Sequence, residues 1–498
     1  SVLNTGTMWG DVLLTNGGGT GCFTNTGTFM AGNAVTVGAC GMVNSGTIEV
    51  GRAEGVTADL TITGDYTGSG ELLLDADFAA GRADRLVVEG DAEIADAITI
   101  RPLVMHQGTA EIARVSGRLS LAPVAGVAAA RSAGALVEPT AFFSYDLASE
   151  GGSLTVTPRA TAASAAAGLG DNREAVAGHL QDLWDGGVSF DEGFTALSSV
   201  AAEDVASTLD TLSGQALGLI GATRYQASLG FIDTIWKSCD EVKDGRCAWG
   251  EWVGNRAAMD GSSDARGYEV RTNGFRLGNG EALSDTTTVG FAIAYEDVSA
   301  DDRDGLGSVD GNAVQLAAYG TWENDAWRLG AAAELGYGWF DTRRTIALGG
   351  SGDLATGSTN SWLAGLHGRA AWHRDFTQGW IEPRLDVSLI HVSMDGFTEN
   401  GPSPFNLTVD GSSDTVLVAT PGVGAGTEFG MENGARLKLF GSLGYALMTD
   451  DAWAPTAHLA GGTEGFAAAT PLPDRLWKVG LGAELLTRGN VSVSASYL

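Results

Sequence analysis

The chain has 498 residues, enough for about two or three domains. It carries 29 lysines and arginines against 61 aspartates and glutamates, which gives a formal net charge of −32. This acidity argues against a nucleic-acid-binding surface, since phosphate contacts need clustered basic side chains. The sequence also lacks the run of about eighteen uncharged apolar residues that predicts a transmembrane helix.

The N-terminal part repeats a short turn sequence. Asn4-Thr5-Gly6-Thr7, Asn25-Thr26-Gly27-Thr28 and Asn44-Ser45-Gly46-Thr47 recur at intervals of about twenty residues, and a short β run follows each. This period predicts the coils of a parallel β-helix. We expect the asparagines to take left-handed corners and stack as a ladder, and the glycines to open the turns.

Four cysteines fall into two local pairs, Cys22 with Cys40 and Cys239 with Cys247. On neighbouring coils, Cys22 and Cys40 would sit at nearly the same corner, within disulfide reach. A zinc site is the alternative, but neither pair has a nearby cysteine or histidine to complete four ligands. Two disulfides, formed in an oxidising compartment such as the periplasm, are therefore the favoured interpretation.

The middle of the chain changes character twice. Strands without the asparagine repeat run from Leu60 to Val156, as expected for a cap that shields the last coil of a solenoid. After Pro158, residues 160–170 are small and linker-like. Helices are predicted over Asn172–Trp184 and Ala202–Leu212.

Residues 216–237 have a helical period but mix glycine and other small residues with leucine, isoleucine and phenylalanine. A helix of about 22 residues spans roughly 33 Å, close to the thickness of the hydrocarbon core of a bilayer. Small side chains suit a helix threaded through a narrow barrel, while a core helix of a soluble domain is the alternative. In the barrel, a Cys239–Cys247 bridge would tie the helix to the first strand.

From Cys247 to Leu498, apolar residues alternate with polar or small ones, and Trp327–Phe340 is the clearest example. Side chains on a strand point alternately to the two faces of the sheet. A soluble sandwich alternates as well, but segments of about ten residues or more, with charges and glycine on one face, favour a membrane barrel with a wet lumen. The residues expected to line this lumen are Arg328, Glu334, Glu382, Arg384, Arg436, Lys478 and Glu484.

Eleven strands are predicted, and the connections between them alternate in length. Residues 299–311 and 346–359 are examples of long connections, and residues 323–326 of a short one. Bacterial barrels have short periplasmic turns and longer extracellular loops. The first strand is therefore expected to run outward, with the end of the preceding helix on the periplasmic side.

In this order of parts, the chain resembles a monomeric autotransporter of the type V secretion pathway, over essentially its whole length. The segments that carry the resemblance are Trp249–Arg256, Gly267–Gly278, Thr288–Tyr295, Asn312–Trp322 and the two glycine-alternating strands near the end. The resemblance implies the end of a right-handed parallel β-helix, followed by a twelve-stranded antiparallel transmembrane β-barrel with a plug helix; eleven of those strands are visible here.

The resemblance also divides the chain into four parts. Residues 1–157 correspond to the C-terminal end of a passenger β-helix, with an autochaperone-like cap at Asp84–Gly90. Residues 158–214 form a linker with short helices, and residues 215–241 the plug helix. Residues 242–498 form the translocator barrel in the bacterial outer membrane.

The implied function is secretion and surface display of the chain's own N-terminal passenger. The implied partners are outer-membrane lipid, lipopolysaccharide and, during biogenesis, the barrel-assembly machinery; the protein is expected to be monomeric and not to bind nucleic acid. A surface adhesin or stalk, in which the β-helix binds a partner and the barrel only anchors it, is the alternative. A diffusion porin is disfavoured by the plug helix, although an enzymatic passenger upstream is compatible with the barrel.

The sequence shows no nucleophile elbow, His-Glu-x-x-His motif or P-loop. We therefore expect no catalytic residue, cofactor or metal site. The aspartates at 301, 302, 304 and 310 do not fit an EF-hand because no glutamate closes the loop. Three histidines on or near strands, His367, His373 and His391, are expected at the aromatic girdle or rim.

Three expectations concern departures from the family pattern. The family barrel has one strand more than the eleven counted here, so we expect the native sequence to continue for one further loop and strand. No signal peptide is present, so Ser1 is expected to be an internal position of a longer precursor. Some members release the passenger through an asparagine in the plug helix; no asparagine occurs between Asn172 and Asn255, so the passenger is expected to stay attached, with Asp233 as a minor alternative.

Overall fold

The computed structural model describes residues 1–14, 21–51, 55–121, 137–239, 245–348, 351–431, 434–460, 464–487 and 492–497. The chain forms two compact units. The first contains residues 1–168, 177–209 and 347–351, and the second contains residues 169–176, 210–346 and 352–498.

The first unit is built from short strands stacked coil on coil. One sheet has the order β1-β3-β5-β8-β12-β15, and all its pairs are parallel. The other has the order β10-β9-β6-β4-β7-β11-β14-β17-β16, with β2 on β4 and β13 on β9. The strands are β1 Val2–Asn4, β2 Thr7–Leu13, β3 Phe23–Asn25, β4 Thr28–Thr36, β5 Met42–Asn44, β6 Thr47–Glu49, β7 Asp59–Ile62, β8 Tyr66–Gly68, β9 Glu71–Asp77, β10 Arg82–Ala83, β11 Arg85–Val88, β12 Ala92–Ile94, β13 Ala97–Val104, β14 Ala110–Val115, β15 Leu119–Leu121, β16 Phe143–Glu150 and β17 Ser153–Ala160.

The predicted asparagine ladder is present at the ends of β1, β3 and β5. Asn4 Nδ2 donates to Asn25 Oδ1 at 2.7 Å, and Asn25 Nδ2 donates to Asn44 Oδ1 at 2.7 Å. The predicted left-handed corners are wrong, because among the described non-glycine residues only Cys239 and Ala460 have positive φ. These asparagines end strands, and their buried amides satisfy one another along the stack.

The repeated glycines also serve a different purpose from the one predicted. Gly27 and Gly46 do not have positive φ. A Cβ on Gly27 would lie 2.2 Å from the carbonyl oxygen of Gly6, and a Cβ on Gly46 would lie 2.1 Å from that of Gly27. Glycine is therefore needed because successive turns stack backbone on backbone, which leaves no room for a side chain.

The coils continue beyond the predicted start of the cap at Leu60, since β8, β12 and β15 extend the parallel stack. Asp96 ends the ladder instead of a fourth asparagine: its Oδ1 accepts from Asn44 Nδ2 at 2.8 Å and its Oδ2 from the Tyr66 hydroxyl at 2.9 Å. Gly68 lies between, and a Cβ there would come within 1.6 Å of the Asp96 carboxylate. In the other sheet of this unit, the antiparallel hairpin β16–β17, which pairs with β14, forms the end of the strand order.

The helices are α1 Ala162–Ala166, α2 Asp171–Asp185, α3 Asp191–Ser198, α4 Val205–Leu212 and α5 Leu219–Lys237, with 3₁₀ turns at Ala202–Asp204 and Gln215–Gly218. Three helices were predicted near their observed positions, but α1 lies within the stretch predicted as linker, and α3 was not predicted. No helix in the described part of the protein is both long enough and apolar enough to cross a bilayer.

In the second unit, eleven antiparallel strands follow one another in chain order as β18-β19-β20-β21-β22-β23-β25-β28-β29-β34-β35. This confirms the predicted count, and no twelfth strand closes the sheet within the described residues. The strands are β18 Arg246–Met259, β19 Tyr268–Ser284, β20 Thr287–Asp302, β21 Gly307–Glu323, β22 Trp327–Leu348, β23 Ser351–Trp372, β24 Arg374–Phe376, β25 Gly379–Met394, β26 Phe397–Thr398, β27 Thr408–Val409, β28 Ser412–Gly430, β29 Arg436–Met448, β30 Ala452–Trp453, β31 Thr456–His458, β32 Phe466–Ala467, β33 Thr470–Pro471, β34 Arg475–Leu486 and β35 Ser492–Tyr497. The short β24 also pairs with β25, as β23 does.

Two predicted long loops are strand for most of their length. β20 and β21 continue to Asp302 and from Gly307, so their connection has only four residues, and β22 and β23 leave only residues 349–350 between them. Arg343 of β22 pairs with Asp310 of β21 across the hairpin at 2.6 Å. The polar composition of these segments suggested loops, but paired backbone groups and cross-strand ion pairs extend the hairpins.

Candidate functional site: the interior of the barrel

The curled sheet surrounds α5, whose side chains contact strands from β18 to β34. The C-terminal half of α5 packs against small residues of the wall. This cluster, called here the dry cluster, consists of Phe231, Ile232, Ile235, Trp236, Ala292, Ala294, Ala317, Tyr319 and Ala332, with Trp249 against it. The alanines let the helix approach the wall closely, so that the apolar side chains of its last two turns or so pack against the wall.

The outer face of the same sheet is apolar. Trp477, Leu481 and Val479 of β34 are exposed, whereas Lys478 between them turns toward α5. Phe291 of β20 and Leu335 of β22 are exposed on the same outer face. Such a band of exposed apolar side chains is expected on a strand wall that contacts lipid.

A polar contact joins the middle of α5 to the wall. Ser228 donates from Oγ to Glu334 Oε2 at 2.6 Å, and His367 Nε2 lies 3.2 Å from the same oxygen. His367 Nδ1 lies 2.9 Å from the hydroxyl of Ser388. All four side chains are buried. Through its Oε2 atom the carboxylate therefore links α5 to β22 and β23, and hydrogen bonds to this oxygen offset part of the cost of its burial.

One turn further along, α5 is held from β18 and β19. Arg276 Nη1 donates to the Gly230 carbonyl and to Thr234 Oγ1, both at 2.8 Å, and Thr234 Oγ1 donates to Glu251 Oε2 at 2.7 Å. Arg276 Nη2 forms a 2.7 Å ion pair with Glu296. A helix carbonyl that receives a charged donor from the wall fixes the helix along its axis as well as laterally.

Asp233 forms the third attachment. Its carboxylate lies 3.2 Å from Lys478 Nζ of β34 and 3.9 Å from Arg369 Nη2 of β23. Arg369 also pairs with Asp386, with 2.9 Å between Nη2 and Oδ2, and stacks 5.6 Å from the ring centroid of Trp236. The single acid of α5 thus meets two wall cations, which compensates for its loss of hydration.

The segment before α5 is fixed by amide contacts. Gln215 Nε2 donates to the Arg266 carbonyl at 2.7 Å, and Gln215 Oε1 accepts from the Arg266 N–H at 2.9 Å. Asn172 makes the same two-way contact with Ala469, at 2.9 Å and 2.7 Å, and also donates to Gln215 Oε1. These hydrogen bonds therefore attach the loop that contains Ala469 to the segment just before the N-terminal end of α5.

A buried ion pair lies nearby, between Arg344 of β22 and Glu399. Arg344 also donates to the carbonyls of Thr211 and Phe405, both at 2.7 Å, while the Leu407 N–H donates to Glu399 at 2.8 Å. The pair holds the end of α4 against the loop after β25. Buried polar groups are usually hydrogen-bonded, which is consistent with the density of contacts around this pair.

Gly221 of α5 and Gly218 of the preceding 3₁₀ turn make room for side chains of the segment between β29 and β34. A Cβ on Gly221 would lie 2.4 Å from the ring of Trp453, and a Cβ on Gly218 would lie 2.3 Å from Thr470 Oγ1. On the wall, a Cβ on Gly330 would lie 2.6 Å from the ring of Trp236. The small residues noted in the sequence therefore accommodate side chains from the surrounding loop and wall.

The two predicted disulfides are present, Cys22–Cys40 in the coils and Cys239–Cys247 between α5 and β18. The Cα atoms of Cys239 and Cys247 are 5.8 Å apart. Cys239 has a positive φ of 64° and is the second residue after the end of α5. The bond therefore joins the helix covalently to the first strand of the barrel.

The seven residues predicted to line the lumen have different environments. Glu334 and Lys478 contact α5 directly. The other five pair with residues of the wall: Arg328 with Glu382 at 3.1 Å, Arg384 with Asp386 at 3.7 Å, Arg436 with Glu428 at 3.2 Å and Glu484 with Lys438 at 4.0 Å.

Sequence reasoning did not identify several residues that hold α5. No local sequence pattern marked Arg276, Glu296, Asn172, Gln215 or the pair Arg344–Glu399. The alternation of β19 and β20 only places Arg276 and Glu296 among polar or small neighbours. The rim position expected for His367 is wrong, since this residue is buried against Glu334.

The aspartates expected in one acidic loop lie mostly on strands. Asp301 and Asp302 belong to β20 and Asp310 to β21. Asp302 is 5% exposed and pairs with Arg266 at 3.0 Å. Within the described residues, no group of three or more histidine, cysteine, aspartate or glutamate side chains is arranged to hold a metal ion.

The chain was compared with curated proteins, with solved structures and with models of protein families. The chain is 26% identical over 213 residues to the extracellular serine protease of Serratia marcescens, and this alignment covers 42% of the chain and 20% of that protein. The chain thus spans about a fifth of the length of this curated relative.

Among solved structures, the translocator domain of the autotransporter NalP from Neisseria meningitidis matches with a TM-score of 0.45 and 13% identity, over 57% of this chain and 92% of that one. The transport unit of the autotransporter AIDA-I from Escherichia coli matches with a TM-score of 0.35 and 15% identity, over 52% and 84% of the two chains.

The family model of the autotransporter beta-domain matches residues 248–498, which is half of the chain. The matched region begins within β18 and includes every strand of the curled sheet. The chain therefore belongs to the autotransporter family, and its barrel is an outer-membrane β-domain.

Proposed function

We propose that the barrel is a translocator that exports the chain's own N-terminal part and displays it at the cell surface. One observation carries this proposal: α5, which lies inside the barrel, connects the barrel directly to the segments that precede it in the chain. A chain that leaves a barrel through its interior has the path that a secreted passenger would take. The fixed contacts of α5 correspond to the state after export.

In this proposal, residues 1–157 are the end of a β-helical passenger with an autochaperone-like cap, and residues 158–214 are a linker. Residues 215–241 are the plug helix and residues 242–498 the translocator. The parallel stacking of the N-terminal coils supports the passenger role, since each added coil buries the face of the one before it.

The inward charges have two roles in the proposal. After export, Glu334 and Lys478 hold α5 in place. During export, Arg328, Glu382, Arg384, Arg436 and Glu484 keep the interior hydrated, because an extended chain with free backbone groups needs water or polar partners. Their pairing with neighbours in the wall leaves no strong field of one sign in the interior.

We propose no catalytic activity for these residues, and the protease activity in the name of the Serratia protein is not transferred to this chain. The partners proposed are outer-membrane lipid, lipopolysaccharide and the barrel-assembly machinery, with a monomeric barrel. The passenger is proposed to remain attached, because α5 contains no asparagine.

The test is surface display by the full-length precursor in bacterial cells. An epitope placed upstream of Ser1 is expected to be cut by protease added to intact cells, while a periplasmic marker stays intact. Without protease, epitope and barrel are expected in one band. An epitope protected in cells whose barrel is correctly inserted would contradict export, and a new C-terminus within residues 216–237 would contradict permanent attachment.

A further inference from the structure

Arg224, on the inner helix α5, is the largest fully buried side chain of the described residues. It is 1% exposed, and its Nε, Nη1 and Nη2 atoms have no hydrogen-bond partner in the described part of the protein. A guanidinium has five N–H donors and keeps its charge in proteins. The burial of such a group without acceptors costs several kcal/mol, so the site needs a further component.

The polar neighbours of Arg224 are also incompletely bonded. Gln315 of β21 is 1% exposed, and both its amide nitrogen and its amide oxygen have no partner among the described residues. The same holds for Oε1 of Glu334 and Oε2 of Glu296. Donors and acceptors therefore occur together, and both kinds remain unsatisfied.

Arg224 and Gln315 meet over one glycine. A Cβ on Gly336 would lie 2.5 Å from Arg224 Nη2 and 3.3 Å from Gln315 Cγ, and Leu363 Cβ would be 3.4 Å away. Gln315 is the cross-strand partner of Gly336. The glycine thus lets the guanidinium lie close to the wall of the barrel, beside the side chain of Gln315.

The charges at this place nearly balance. Arg224 and Arg276 are cationic, and Glu296 and Glu334 are anionic; Glu296 already pairs with Arg276, and Glu334 with Ser228 and His367. A neutral site offers an added ion of either sign little attraction. A molecule that both donates and accepts hydrogen bonds satisfies every group.

We propose that Arg224, Gln315, Glu296 and Glu334 bind a cluster of ordered water molecules between α5 and the wall of the barrel. Water bridges donors to acceptors at little energetic cost and occupies polar cavities of this kind in folded proteins. The dry cluster, which begins at Phe231, lies on the same helix toward its C-terminus. In this proposal, water surrounds the part of α5 near Arg224, and apolar side chains surround the part that begins at Phe231.

This inference stands without the proposed function, because it depends only on buried polar groups. The proposal predicts that α5 contacts the wall directly at Ser228 and Asp233, and through exchangeable water molecules at Arg224. A water-bridged contact adapts to small shifts of the helix, which a direct ion pair in a dry site does not.

X-ray hydroxyl-radical footprinting of the intact protein in detergent tests the proposal, because the radicals form from water inside the protein. Leu363, 2% exposed, lies beside the proposed water, whereas Ile235, 1% exposed, belongs to the dry cluster. Modification of Leu363 is expected to be several-fold faster than that of Ile235. Equal protection of the two residues would overturn the proposal.

A double variant, Arg224→Met with Gln315→Leu, replaces the polar groups by apolar ones of similar size. It is expected to lower modification of Leu363 toward that of Ile235. A crystal of the native protein soaked in bromide separates the possible occupants. Water at the guanidinium supports the proposal, whereas anomalous density from bromide there, or a direct bond from Arg224 to either glutamate, would overturn it.

Discussion

Replacement of Glu334 by alanine tests whether the polar contacts of the inner face retain α5. The carboxylate accepts from Ser228 of the helix at 2.6 Å and lies 3.2 Å from His367 of the wall. Only the first of these contacts joins helix to wall. A hydrogen bond to a charged group contributes about 1.5–3 kcal/mol, which corresponds to a change of about tenfold to a hundredfold in the population of displaced helix.

Single-channel recording in planar bilayers measures that population, since displacement of α5 opens the barrel to ions. The Glu334→Ala variant is expected to raise the open probability by the factor given above. Glu382→Ala is the matched control: Glu382 is also a buried glutamate, but its ion-pair partners, Arg328 and His373, lie outside α5. The control is expected to change the open probability much less.

The reasoning is refuted if the two variants raise the open probability alike, or if Glu334→Ala leaves it unchanged. A double-mutant cycle adds a second check. In a Ser228→Ala background the helix–wall hydrogen bond is already lost, so the further effect of Glu334→Ala on open probability should be smaller.

Three further predictions concern the coils and the disulfide. Gly27→Ala places a Cβ 2.2 Å from a backbone oxygen and should destabilise the coils by about 1–3 kcal/mol. The control Gly6→Ala, whose Cβ would have nothing within 4 Å, should be nearly neutral. Hydrogen exchange over residues 21–51 of the intact chain measures the difference, and equal effects of the two variants would contradict the stacking argument. Burial raises the pKa of Asp84 from 3.8 to about 6, so its stabilising contribution is present below about pH 4 and is lost as the pH rises through 6. Amide protection around Asp84 should therefore weaken from pH 5 to 7, and Asp84→Asn should remove that dependence. A pH dependence that persists in the variant would assign it to another group. Loss of the Cys239–Cys247 bond, which closes a loop with a sequence separation of 8, should cost about 2.5 kcal/mol of chain entropy. Reduction should therefore lower the thermal midpoint of the native protein more than that of a variant with serine at both positions, in which only Cys22–Cys40 remains to be reduced. An equal fall in the two proteins would contradict this contribution.

Features that depend on neighbouring residues in the chain were predictable. The alternation in β22 and β34 identified the strands and their two faces, because the geometry of an extended chain forces alternate side chains apart. The spacing of Asn4, Asn25 and Asn44 identified the coils. The cysteine pairs were predictable for the same reason, since each pair is local.

Features that depend on the meeting of distant segments were not predictable. Asp96 ends the asparagine ladder although it lies 52 positions after Asn44. Residues 299–311 and 346–359 were predicted as loops, yet most of them belong to extended, paired strands. In both cases the partner that satisfies the polar group is supplied by another part of the fold.

The sequence by itself determined the β-coils, the helix, the eleven strands and the order of these parts that marks an autotransporter. Periodicity and turn spacing depend only on the order of residues in the chain. The tertiary structure decided how α5 is held. The partners of Ser228 and Asp233 lie on strands more than a hundred residues away, with separations of 106 and 245 positions. Only the curling of the sheet around the helix brings these polar groups together, because burial, and with it the need for a partner, does not exist in the extended chain.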